Sequence, residues 1–122
     1  MLIALLVSLY FGGGPTEILA YIADTQDSVK IVMTNDDRQK EALNTLKAMK
    51  KRANAYDKQA RRTAKGLHKA FRNHDTTAVE VDAIWVEHFT GIDQYNHEML
   101  DLRFELREHI NREEWQHIFS RD

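Results

Sequence analysis

The sequence predicts an all-α protein: an N-terminal membrane-anchor helix, a long antiparallel helical hairpin and a short C-terminal helix. Three observations carry this. The 122 residues include one Pro and five Gly, the latter confined to Gly12–Gly14, Gly66 and Gly91, too few turn formers for a sandwich or barrel. Two long stretches, Asp36–Arg72 and Thr77–Ile110, repeat apolar residues at alternating three- and four-residue steps. The first eleven residues, MLIALLVSLYF, carry no charge.

A chain of this length makes one domain, and with 30% charged residues it cannot bury a large core alone. The absence of Cys excludes a disulfide framework, a Cys-zinc site, an iron–sulfur cluster and a thiol nucleophile. No phosphate-loop or nucleophile-elbow pattern is present, which disfavours kinases and most hydrolases.

Residues 1–23 read as a membrane anchor or signal segment, and residues 24–122 as the hairpin domain. Met1–Phe11 alone is about 16 Å long as a helix, short of a bilayer, whereas Leu2–Ala23 as one helix is about 33 Å. Gly12–Gly14 and Pro15 would weaken or kink that helix. A cleaved signal peptide is the rival, but no Lys or Arg precedes Lys30, so its basic leader is missing. A third reading docks the apolar segment on a partner.

In the first long stretch, Leu46, Ala53, Ala60 and Leu67 recur every seven residues, with Met49, Tyr56, Thr63 and Ala70 between them. This is a heptad seam, flanked by Leu43 and Phe71. The polar break Arg72–Thr77 follows, with Thr77 and Glu80 spaced as a capping box. In the second stretch Val81, Trp85, His88, Ile92, Tyr95, Met99, Leu102, Leu106 and His109 step by four and three. Two such helices joined by a short turn pack antiparallel. The second helix has another apolar row, including Val86, Phe89, Leu100 and Phe104. One hairpin buries one seam, so this row predicts a protein interface, and with little chain left to cover it, a homodimer.

Charge is divided between the helices. Residues 40–72 hold eleven Lys/Arg and two Asp/Glu, whereas residues 75–114 hold eleven Asp/Glu and three Arg. Such a pattern selects orientation and partner more than it stabilises. The basic helix lacks interleaved aromatics and its compensating acids lie in the same chain, so nucleic acid is not an expected partner.

Two helix starts share a pattern. In Met33-Thr34-Asn35-Asp36-Asp37, Thr34 is the expected N-cap and Asp37 the acid at the third helical position. In Ile110-Asn111-Arg112-Glu113-Glu114-Trp115, Asn111 and Glu114 take those places, and Ile110 is set to pack on Trp115 as a hydrophobic staple. Placed before the first and after the second helix of a hairpin, these motifs resemble the Leu-Thr-x-x-Gln motifs of the Spy-type periplasmic family, which includes envelope-stress chaperones and heavy-metal sensors. The resemblance spans residues 33–119, although neither motif keeps the Leu or the Gln. It implies a small cradle-shaped dimer at the bacterial inner membrane, its soluble part in the periplasm, binding unfolded protein, metal or a signalling partner.

Six His are present, and Glu105/His109, Glu113/His117 and Glu114/His117 lie three or four residues apart on shared helix faces. His97, His109 and His117 are therefore candidate ligands for zinc, nickel or copper. The plainer reading of His88 and His109 is as polar members of the hairpin seam. A bare hairpin offers no pocket to perturb a catalytic carboxylate, so no enzymatic activity is expected. The expected function is a tethered chaperone or sensor; the alternative is a structural accessory subunit docked on a larger membrane protein complex.

Overall fold

The structure, a computed structural model, describes residues 14–120. Four helices follow in order: α1 (Gly14–Val32), α2 (Asp37–Arg72), α3 (Ala78–His109) and α4 (Arg112–Ile118). α2 and α3 form the hairpin, and the heptad residues line its seam. Leu46, Ala53, Ala60 and Leu67 are all buried on α2, and Tyr95 and Leu106 on α3. Small Ala residues on α2 let the helices approach closely, and Gly91 of α3 lies against the Gln59 side chain. Tyr56 and Tyr95 stack across the seam at 4.4 Å, with Arg52 over Tyr95 and paired to Glu98.

Thr77 caps α3, its hydroxyl accepting from the Glu80 amide at 3.2 Å. Gly66 stands in the interior of α2 with open space where a Cβ would be. A methyl there removes backbone freedom from the unfolded chain and meets nothing in the fold. Gly66→Ala is therefore expected to stabilise by about 0.5–1 kcal/mol, read as a higher melting temperature.

The boundary expected after Ala23 falls inside α1. The helix runs unbroken to Val32 and packs along the first half of α2, with Ile22 (2% exposed), Val29 (0%) and Met33 (4%) joining Ala42, Leu46, Leu106, Ile110 and Ile118 in one core. The reason is periodicity. Ile18, Ile22, Thr25, Val29 and Met33 fall on one helical face, and that face finds the apolar side of α2. Ile22 thus lies in the domain core and Ile18 packs against it. Among the described residues no helix is long and apolar enough to cross a membrane. The anchor reading of Met1–Gly13 lies outside the described residues.

Near α2 the expected cap is displaced by two residues. Asp36, not Thr34, is the N-cap, its carboxylate accepting from the Gln39 amide at 3.2 Å, and Asp37 is the first residue of the helix. A tight turn, with the Asp36 amide donating to the Thr34 carbonyl at 2.8 Å, uses up the intervening residues. This shift places Gln39 at the third helical position. Its buried side-chain amide donates to the Met33 carbonyl at 3.0 Å and so satisfies the end of α1.

α3 stops at His109, and Asn111 starts α4 with a complete capping box: the Glu114 amide donates to Asn111 Oδ1 at 2.8 Å and the Asn111 amide to Glu114 Oε1 at 3.0 Å. The same Glu114 carboxylate receives both terminal nitrogens of Arg38, at 2.8 and 3.1 Å. This two-pronged contact clasps the start of α2 to the start of α4. The Arg38 hydrogen bond lowers the Glu114 pKa, with burial opposing it, and raises that of Arg38. Ile110 and Ile118 are buried in the core, Trp115 packs against it, and the Trp115 and Phe119 rings meet at 4.4 Å. Phe119 in turn stacks on Tyr21 of α1 at 6.4 Å, so α4 reaches from the end of α3 back to α1.

Candidate functional site

Because α1 and α3 both pack on α2, they leave a trough between them. Leu46 and Met49 of α2 form its floor. Tyr21, Ile22 and Thr25 of α1 form one wall, and Asn96, Met99, Leu100, Arg103 and Leu106 of α3 the other. Trp115 of α4 and Phe119 at its C-cap also line the cleft, which has a volume of about 500 Å³. A bare hairpin is not expected to form such a cleft, although that expectation concerns a pocket able to perturb a carboxylate, and no carboxylate lines this one. That expectation assumed a two-helix hairpin, and the third and fourth helices build the walls. The lining is apolar, with Thr25, Asn96 and Arg103 as its main polar groups and no carboxylate or His among its residues.

A second cleft of about 450 Å³ adjoins the first and shares Arg103 and Trp115 with it. Its other lining residues are Arg107, Ile110 and Arg112. The Arg103 guanidinium lies 5.4 Å from the Trp115 ring centre and 5.5 Å from that of Phe104, and Arg107 lies 5.9 Å from Phe104. Such faces hold the guanidinium planes by cation–π attraction and leave their edges available for hydrogen bonds.

The outer row of α3 is exposed, as the hairpin argument requires. Val86 (57%), Phe89 (51%), Leu100 (53%) and Phe104 (47%) show large apolar surfaces to solvent. Near the hairpin turn Trp85, His88 and Phe89 form an aromatic cluster, with Trp85–Phe89 and His88–Phe89 ring centres 5.9 and 5.4 Å apart. The charge division brings the faces of α2 and α3 together less than expected. Arg52–Glu98 is the one ion pair joining α2 to α3 among the described residues, because the remaining Lys, Arg, Asp and Glu point outward.

The metal candidates are not gathered. His97 and His109 lie twelve residues apart on α3, about 18 Å by helical rise. His97 stays with its own helix, 3.2 Å from the Asp93 carbonyl, and His117 is exposed on α4. No group of three or more His, Asp or Glu side chains among the described residues is arranged to hold a metal ion.

His88 is the buried imidazole, 3% exposed on the α3 seam, and burial lowers its pKa. The fold therefore disfavours its protonation, while the unfolded chain protonates near the ordinary value of 6.5. As pH falls through that value, the unfolded state takes up a proton that the fold resists, and stability declines until the folded pKa is passed. The Glu114 shift has the opposite origin: its contribution is present above about 4.5 and lost below it. Melting temperature is thus expected to fall between about pH 7 and pH 5. His88→Gln should flatten that decline, and an unchanged slope would exclude His88 as its source.

Sequence reasoning missed α1 as a core helix, Asp36 with Gln39, the Arg38–Glu114 clasp and the arginine cleft. Signals for the first two were present: an apolar helical period running past Ala23, and capping-box spacing from Asp36 to Gln39. Arg38–Glu114 joins residues 76 positions apart and has no local signal. No family model, no curated protein and no solved structure matches the chain.

Proposed function

We propose that the protein is a helical binding module, held at the bacterial inner membrane by its apolar N-terminal residues with the bundle in the periplasm, and that it docks another protein chain on the outer face of α3. The observation that carries this reading is the exposed row Val86, Phe89, Leu100 and Phe104, each 47–57% exposed on one helix. Val86 with Phe89, and Leu100 with Phe104, make two exposed apolar patches on that helix, and such patches mark interaction sites. A second copy of the chain is the first candidate partner, because the outward face of α2 is basic and that of α3 acidic, so two copies placed α2 against α3 complement each other. The Asn111 capping box also supports the likeness to the Spy-type hairpins, which implies an envelope-stress chaperone or sensor.

The test is the assembly state of the full chain, by sedimentation in density-matched detergent. A dimer is expected, with Phe104→Glu shifting it to monomer while helicity is kept. A monodisperse monomer of the unaltered chain at tens of micromolar would exclude self-association.

A second reading is favoured by Ile22 lying in the bundle core, with Ile18 packed against it, rather than in an anchor. The remaining apolar run Met1–Phe11 is about 16 Å as a helix, half the thickness of a bilayer core. Such a segment suits docking on a membrane protein, as in an accessory subunit of a larger complex. Stoichiometric membrane partners on purification from detergent would support this second reading over the first.

A further inference from the structure

The two clefts meet at Arg103 and Trp115, and their chemistry differs. One is an apolar trough about 500 Å³ in volume, within the range of small-molecule sites. The other is lined by three arginines, Ile110 and Trp115. α3 is an acidic helix, and Arg103 and Arg107 are its only Lys or Arg residues. They stand four apart, a spacing at which like charges repel. The positions three and four away from them hold Met99, Leu100, Phe104, Leu106, Ile110 and Asn111, so no acid on the helix is spaced to neutralise either one. Arg112 adds a third positive charge from the first turn of α4. The nearby Glu114 carboxylate is already held by both terminal nitrogens of Arg38.

We propose that these joined clefts bind a single-chain amphiphile with an anionic oxygen head group, of which a fatty carboxylate is the simplest form. The alkyl chain lies in the trough against Leu46, Met49, Met99 and Leu100, and the head lies among Arg103, Arg107 and Arg112. Guanidinium forks match carboxylate and phosphate oxygens. Two methionines in the trough suit a flexible chain, because their own side chains adapt to irregular shapes. The trough shares Leu100 with the exposed row of α3, so a second copy seated on that row would compete with the alkyl chain.

The experiment uses the full chain with Trp85→Phe, held in phosphatidylcholine nanodiscs, so that Trp115 is the only indole. Trp115 emission is followed on titration with laurate, dodecyl phosphate, dodecyl maltoside and acetate, each amphiphile below its micelle concentration. Laurate and dodecyl phosphate are expected to saturate the signal. Dodecyl maltoside, with the chain but no charge, and acetate, with the charge but no chain, should each bind at least tenfold more weakly. Tighter binding of dodecyl phosphate than of laurate would identify the head as a phosphate. Arg107→Gln/Arg112→Gln, which leaves the Arg103–Trp115 contact in place, should weaken both anionic ligands at least tenfold with the melting temperature kept. Partition into the lipid is the same for both proteins and cancels. Equal affinity for laurate and the maltoside, unchanged affinity in the double variant, or no saturable change with either anion would overturn the proposal.

Discussion

Val29→Asp is expected to unfold the first helix from the bundle and to cost about 3–5 kcal/mol, the range for an uncompensated buried charge. Val29 is fully buried, at the centre of the contact between α1 and α2. A carboxylate there meets Ala42, Leu46 and the other apolar members of the core. It must either stay protonated or drive α1 away. Loss of α1 would in turn strip Gln39 of the Met33 carbonyl and Phe119 of its stack on Tyr21. Ile31→Asp is the control, because Ile31 is 79% exposed on the same helix and should change stability little. Both are measured by denaturant unfolding followed by circular dichroism. Equal, small costs for the two variants would mean that α1 does not belong to the folded domain.

The hairpin was legible because its signal is local and repeated. Two sets of residues at three- and four-residue steps define faces that can only meet each other, and the heptad residues Leu46 to Leu67 and Val81 to His109 line the seam. The outer row of α3 was legible by the same arithmetic, as apolar positions left over once one seam is filled. α1 was harder, because an apolar run of twenty-odd residues has two destinations, lipid or a protein core, and hydropathy alone does not choose between them. What decides is the far half of the helix. Thr25, Ser28 and Val29 are buried there although Asp24, Asp27 and Lys30 keep the segment too polar for a bilayer. An amphipathic continuation of this kind belongs to a bundle.

The cap motifs illustrate a finer limit. At the start of α4 one residue, Asn111, stands alone as a strong cap, and the box is read directly. At the start of α2, Thr34, Asn35, Asp36 and Asp37 are all capable caps, and the choice falls to packing. Asp36 is used because it sets Gln39 against the carbonyl end of α1, a contact that exists only once α1 is known to be there. The cleft was invisible for the same reason. Its walls come from four helices, and although Leu46, Met49, Met99, Leu100 and Leu106 each followed from the pattern of a single helix, their meeting around one cleft did not.

Removing a core side chain should distinguish the two ends of the molecule. Leu46 (2% exposed) and Leu67 (0%) sit on the same seam of α2, three heptads apart. Around Leu46 the bundle is at its thickest, with α1, α3 and α4 all contributing to the core that holds it. Leu67 lies near the turn, outside the core cluster that α1 and α4 join. Large-to-small substitutions cost the transfer energy of the lost atoms plus a part set by how far the surroundings can collapse. Helices fixed from several sides collapse little, whereas two helices near a free turn can close together. Leu46→Ala is therefore expected to cost about 3–5 kcal/mol, and Leu67→Ala about 2–3 kcal/mol. The paired measurement is urea unfolding of the two variants, compared at unchanged dependence on denaturant. The Leu46 variant also loses the floor of the apolar trough, so its cavity opens toward the cleft. A larger loss at Leu67 would mean that the turn end is as rigid as the four-helix end, and that the seam rather than the added helices sets the stability of the bundle.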